Sequence, residues 1–261
     1  MKLHSRRTET SLRIYLGLTL LFLFAPILVT IAFSFNSDRF SSLPWRGFSL
    51  HWYAQMLSRL DLLTALRNSA VVGVGVAAAA VLLGCLGAYG LRHSKIRGKN
   101  LLLLGMISPL AVPWMLLGLG LLILFTRLGI RQSLLTVWIS HLVFSAPLSL
   151  VLINTRLNTV PKSLDEAAWD LGASHLQTIL RVIIPQALPG IIAAGLLVFT
   201  LSFDEFIISW FVCGFSQTLP VYIYGMIRSG INPTINAIGT VVFTVSIALT
   251  IIAQLTLRRA E

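Results

Sequence analysis

The sequence predicts an all-α integral membrane protein with six transmembrane helices. Three observations carry that expectation: too little charge for a soluble domain, six apolar runs of bilayer-spanning length, and basic residues gathered in the short segments between them. Of 261 residues, 56% are hydrophobic and only 11% charged, where soluble domains carry about 25% charged residues. The formal net charge is +11. In a soluble protein such an excess suggests nucleic acid. Here Lys and Arg sit mostly in linkers, where they set topology, so the expected surroundings are a membrane and no nucleic acid.

A spanning helix needs about 20 mostly apolar residues. Six runs qualify: Ile14–Phe35, Ser69–Leu91, Leu101–Phe125, Ser133–Ile153, Ala187–Val212 and Ile235–Leu255. The first follows the basic MKLHSRRTETSLR and ends at Asn36-Ser37-Asp38. It is longer than a signal-peptide core and reads as an uncleaved first span. Six spans place both termini on one side. With that side inside, thirteen of the twenty Lys and Arg residues fall on inner segments, the densest before the first span and in RHSKIRGK. That excess predicts cytoplasmic termini. The chain then reads as a cytoplasmic segment 1–13, one transmembrane domain 14–257 and a cytoplasmic tail 258–261.

The outer segment between the first two spans contains HWYAQMLSRLDLLTAL, with Trp52, Met56, Leu60 and Leu63 near helical spacing. It predicts an amphipathic helix lying on the membrane face, on a partner, or on the protein's own outer surface. Gly84, Gly87 and Gly90 in the second span and Pro109, Pro113 and Pro147 in the third and fourth permit close approach and kinks. Trp45, Trp52 and Trp210 are expected interface anchors. His141 in the fourth span reads as a hydrogen-bonded packing residue, with a proton relay as its alternative. Cys85 and Cys213 have neither metal-type nor redox-type spacing; no metal site is expected.

Between the fourth and fifth spans the chain turns polar. Ser163 and Glu166 have capping-box spacing, and Asp165 and Glu166 lie in the first turn, where they complement the helix dipole. Gly172 suits a left-handed helix end. Ser174 and Gln177 repeat the capping spacing, and a second helix is expected through Ile179–Ile184 to Pro185. Two short capped helices meeting at a glycine corner, with no nucleophile–base pair and no metal ligands, make a docking shape rather than a catalytic one.

Glu166-Ala167-Ala168, then Gly172, then Ile184-Pro185 resemble the EAA loop of binding-protein-dependent ABC importer permeases of bacteria. The resemblance covers nearly the whole chain and is nearest to the spermidine/putrescine permease group. Ser34-Phe35-Asn36 and Thr200-Leu201-Ser202-Phe203-Asp204-Glu205 are similar to that group. So is TLPVYIYGMIRSGINPTINAIGT, with Thr218-Leu219-Pro220, Arg228, Gly230, Pro233, Asn236 and Ala237. Polyamine permeases often show two Asp at the acidic step; Asp204-Glu205 departs from that and keeps the charge.

The resemblance implies a non-catalytic subunit of the bacterial cytoplasmic (inner) membrane. Its coupling helix would sit in a cytoplasmic loop between helices 4 and 5 and fit a cleft on an ATPase dimer. The implied coupling residues are Asp165, Glu166, Ala167, Ala168, Asp170, Leu171, Gly172, Ile184 and Pro185. It also implies a second permease, forming a heterodimer in that group's arrangement, and an external solute-binding protein. ATP and Mg would reside on the ATPase. The chain itself has no G-x-x-x-x-G-K-[ST] loop.

Asp204 and Glu205 are the acids placed inside a span, where a carboxylate costs about 2.5–3.5 kcal/mol at a helix centre. Counted from Pro189, Asp204 lies about 22 Å along the helix, past the midplane toward the outside. Adjacent helical positions point about 100° apart, so two readings stand: one acid lines a cation pathway, or one is structural, pairing with an Arg such as Arg228 or capping a broken helix end. The expected function is the permease for a small cationic solute, a polyamine first. The alternatives are another ABC solute (an amino-acid-like amine, phosphonate, thiamine or iron chelate), an ion-gradient-driven transporter using Asp204, Glu205 or His141, and a non-transporting scaffold.

Overall fold

The structure, a computed structural model, describes residues 6–40, 42–94, 97–230 and 232–258. Residues 1–5 and 259–261 of the expected terminal segments, and Lys95 of the basic linker, lie outside the described residues. Twelve helices follow in order among the described residues: α1 (Arg6–Ser34), α2 (His51–Ser58), α3 (Leu60–His93), α4 (Lys99–Ile107), α5 (Trp114–Arg127), α6 (Leu134–Thr159), α7 (Ser163–Asp170), α8 (His175–Thr178), α9 (Ile184–Asp204), α10 (Ile207–Val212), α11 (Leu219–Ser229) and α12 (Thr234–Arg258). In hydrocarbon the backbone must satisfy its own polar groups, which helices do within one segment.

Among the described residues, five helices are long and apolar enough to cross a membrane: Glu9–Ser34, Leu60–His93, Leu134–Thr159, His175–Asp204 and Thr234–Ile252. The expected third span is not one straight helix. Leu101–Ala111 and Trp114–Arg127 meet at 93° and count as a sixth span only as a bent pair. Pro113 is the cause. Its ring pushes the preceding residue out of helical geometry, and Val112 is extended at φ −78°, ψ 128°.

Packing divides the chain into two units: Met1–Leu60 with Gly225–Val245, and Asp61–Tyr224 with Ser246–Glu261. In the first, the end of α1 organises the segment after it. Ser34 Oγ lies 2.7 Å from Tyr53 Oη, the Trp52 indole donates to the Asn36 carbonyl at 2.7 Å, and Thr234 Oγ1 donates to Gln55 Oε1 at 2.8 Å. The expected amphipathic helix over HWYAQMLSRLDLLTAL is therefore split. Its first half is α2, packed on the protein's own surface through buried Trp52. Arg59 is extended, and Leu60 and Leu63 already belong to α3.

The second unit is built on α3, α6 and α9, which face one another through small residues interleaved with larger apolar ones. One cluster joins Val76 and Ala80 of α3, Phe144 of α6 and Val198 of α9 to Phe125 of α5 and Ile208 of α10. The other joins Ala88 and Leu91, Ile153 and Leu157, and Ala187 and Ala194. Small residues let membrane helices approach closely, where dispersion does the packing. At Gly84 an added Cβ would lie 2.5 Å from Ser149 Oγ and 3.0 Å from the Leu150 backbone nitrogen of α6, whereas at Gly90 nothing stands within 4 Å. Gly84→Ala is therefore expected to overpack the α3–α6 contact at a cost of about 1–3 kcal/mol. A fall in the detergent unfolding midpoint for Gly84→Ala, with none for Gly90→Ala, checks this.

Candidate functional site

The polar segment between α6 and α9 starts one residue earlier than its capping pattern implies. Lys162 is already helical at φ −66°, ψ −24°. Leu164 N donates to the Pro161 carbonyl, and Asp165 N and Glu166 N donate to the Lys162 carbonyl. Ser163 thus lies inside the helix, and no capping box forms with Glu166. The far end of α7 follows expectation. Gly172 is left-handed at φ +82°, Ala173 N donates to the Ala168 carbonyl and Gly172 N to the Trp169 carbonyl, each at 2.9 Å. That bond pair is the Schellman closure. Ser174 and Gln177 form the second box: Ser174 N donates to Gln177 Oε1 at 2.9 Å and Gln177 N to Ser174 Oγ at 3.3 Å.

The second helix does not stop at Pro185. α8 passes through a π-turn, Ile179–Ile183, directly into α9. Pro185 has no N–H, and its ring crowds the carbonyl four residues earlier. The wider turn, closed by Ile184 N donating to the Ile179 carbonyl, absorbs that misfit. The glycine corner is therefore one end of a single helix from His175 to Asp204.

The expected coupling residues divide by side of α7. Glu166, Ala167, Asp170, Leu171 and Gly172 are exposed, with Leu171 89% exposed. Asp165 and Ala168 are buried. Further on, Ile184 is half-buried and Pro185 exposed. Asp165 turns inward onto Arg92, in the last turn of α3. Arg92 Nε donates to Asp165 Oδ2 at 2.9 Å, and both side chains are 3% exposed. The same guanidinium donates to the carbonyls of Leu157 at 2.6 Å, Val160 at 2.9 Å and Pro161 at 3.2 Å. It thereby closes the C-terminus of α6, where a cation is favoured. His93 Nε2 stands 3.1 Å from Asp165 Oδ2, and its ring packs on Tyr89 and Trp169. In the sequence Arg92 reads only as a topology charge. Its place at a helix C-terminus was a signal, but its partner is 73 residues away.

The expected fifth span, Ala187–Val212, breaks at the acids. α9 ends at Asp204, Glu205 is extended at ψ 121°, and α10 starts at Ile207. The buried Glu205 carboxylate causes the break, because it accepts from Ile208 N at 2.7 Å and Ser209 N at 2.8 Å. These are the donors a helix start leaves open. His141 of α6 supports it. Nδ1 lies 2.8 Å from Ser202 Oγ, and Nε2 lies 3.0 Å from Ser209 Oγ and 3.2 Å from Glu205 Oε2. Glu205 caps a broken helix end. Asp204 points elsewhere: it is exposed, and its Oδ2 accepts from Ser246 Oγ of α12 at 3.4 Å. Beyond the break, Trp210 packs on Phe206 and Tyr224. Among the described residues no group of three or more His, Cys, Asp or Glu side chains is placed to hold a metal.

Residues 80–261 match the family described as "Binding-protein-dependent transport system inner membrane component". The chain belongs to this family of membrane permeases. The match includes α7, the glycine corner and both acids. The permease is 35% identical over 254 residues to the "Putrescine transport system permease protein PotI" of Escherichia coli (strain K12), covering 94% of this chain and 89% of that one. It is 35% identical over 243 residues to the "Spermidine/putrescine transport system permease protein PotC" of Haemophilus influenzae, covering 91% and 93%. Its fold is that of a chain in a bacterial ABC transporter involved in the import of the acidic polysaccharide alginate, with a TM-score of 0.71 and 18% identity over 99% of both chains.

The geometry separates the two acids of the permease. Glu205→Ala leaves the Ile208 and Ser209 N–H groups without their acceptor. It is expected to lower the detergent unfolding midpoint by the equivalent of about 1–3 kcal/mol. Asp204→Asn is expected to stay within about 0.5 kcal/mol of the parent. Equal losses in the two variants would contradict the assignment of Glu205 as the cap.

Proposed function

We propose that this permease forms half of the translocation path of an ATP-driven polyamine importer of a bacterial inner membrane. The observation that carries the reading is the 35% identity, over 94% and 91% of the chain, to relatives named for putrescine and for spermidine/putrescine transport. Both termini and α7 face the cytoplasm in this reading, supported by the excess of Lys and Arg on that side. A companion permease, making a heterodimer, completes the path, and a solute-binding protein delivers the polyamine from outside. ATP and Mg are held by a separate ATPase dimer, and this chain is not catalytic.

The exposed side of α7, with Glu166, Ala167, Asp170 and Leu171, is the surface offered to the ATPase. Gly172 sets the corner that presents it, and Ile184 and Pro185 carry the corner into α9. Closure of the ATPases favours one of two membrane conformations, as a ligand shifts a two-state equilibrium. Asp204, exposed at the other end of the same helix, is the acid of the path. Polyamines are polycations at neutral pH, and a carboxylate attracts them most where water is scarce.

Two variants test this in proteoliposomes holding the full complex. Glu166→Arg is expected to insert normally and abolish ATP-driven uptake; unchanged uptake at equal abundance would sink the docking surface. Asp204→Asn is expected to raise the polyamine concentration for half-maximal uptake about tenfold, the equivalent of ~1.4 kcal/mol. An unchanged concentration dependence would remove Asp204 from the path.

A further inference from the structure

We propose that Arg92 is a positioning residue for energy coupling: through its buried bond to Asp165 it makes α7 and the adjoining ends of α3 and α6 move as one piece. The inference rests on the reading of α7 as the surface that docks the ATPase. A helix of eight residues hung between a turn and a glycine corner has no stiffness of its own to deliver a displacement. It must be tied to the membrane helices at more than its ends.

The Arg92 guanidinium is that tie. Its Nε takes the Asp165 carboxylate on the inward face of α7, its Nη1 takes the Leu157 and Val160 carbonyls closing α6, and its Nη2 takes Pro161, where the chain turns into α7. The planar fork fixes the directions of these bonds together, which a lysine ammonium does not. The pair is also shielded from water, so the bonds are not screened as surface pairs are. Around it, Trp169 of α7 packs its ring on His93 of α3 and on His175 across the glycine corner. Glu166 of α7 and Leu171 at its C-terminal cap are exposed, while Asp165 anchors the inner face of that helix. A push received outside is thus passed to α3 and α6 inside.

The test uses proteoliposomes with the permease, its companion permease, its ATPase and its binding protein, and reads spermidine or putrescine taken up per ATP hydrolysed. Asp165→Asn keeps the shape and removes the charge. It is expected to retain the ATPase in the purified complex and to hydrolyse ATP, while uptake per ATP falls at least about fivefold, the lower end of ordinary site-to-site coupling. Arg92→Lys is expected to fall between it and the parent. A parent-like ratio in Asp165→Asn would overturn the inference. If the parent complex itself neither binds the ATPase nor couples hydrolysis to uptake, the docking reading fails and this inference with it, an outcome distinct from a coupled parent with a coupled variant.

A second measurement does not depend on either variant folding. Spin labels at Leu164→Cys on α7 and Leu86→Cys on α3, both exposed positions, are placed in a chain with Cys85 and Cys213 changed to Ala. Their separation is expected to hold between nucleotide-free and ATP-bound complexes. A change beyond about 2 Å, the scale on which packed helices slide, would show that α7 moves independently of α3 and overturn the inference.

Discussion

A charge buried in an apolar membrane domain has to be satisfied where it stands, because no water is there to do it. The second unit of this permease is arranged around two such charges. Arg92 gathers Asp165 and three carbonyls where α3, α6 and α7 meet. Glu205 gathers two backbone N–H groups and the His141 imidazole where α9 gives way to α10. Removing one partner from a buried ion pair such as Arg92–Asp165 typically costs about 3–5 kcal/mol, and removing the acceptor of buried N–H groups, as at Glu205, about 1–3 kcal/mol, so each cluster holds its helix ends against rearrangement. The apolar clusters between them supply close packing and are less directional.

The two clusters lie on one framework. α6 carries His141 toward one and Leu157 toward the other. The helix from His175 to Asp204 runs 30 residues, about 45 Å at 1.5 Å per residue. It has the glycine corner at its start and the exposed acid at its end. Its one wide turn, Ile179–Ile183, lies just inside the corner. A motion imposed at α7 therefore has a short route to α3 and α6 through Arg92 and a continuous backbone route to Asp204.

Much of this was legible in the sequence because hydrophobic length is a strong signal. The five long apolar helices overlap the apolar runs, with ends displaced at α3, which starts at Leu60 instead of Ser69, at α6, which runs to Thr159 instead of Ile153, and in the fifth run, which is helical from His175 to Asp204. The glycine corner was legible because Gly172 has a local reason to be there. What was not legible depended on partners far away in sequence or on competition between equal local patterns. Ser163–Glu166 and Ser174–Gln177 have the same spacing, yet only the second closes a box, because the Pro161–Lys162 turn starts α7 before Ser163. Asp204 and Glu205 look alike as acids in an apolar run. His141, 64 positions before Glu205, and the open N–H groups of α10 are what separate a cap from an exposed carboxylate. Pro113 signals a kink, but no local pattern records the 93° size of the bend.

In the function proposed for it, this permease couples ATP hydrolysis on a partner to polyamine entry. The most direct measurement is ATP hydrolysis by the complete complex in nanodiscs, with the binding protein and a panel of spermidine, putrescine, methionine and an alginate oligosaccharide. Stimulation by spermidine or putrescine alone is the expected result. Stimulation by one of the other solutes instead, or by none while the ATPase remains bound, would contradict it.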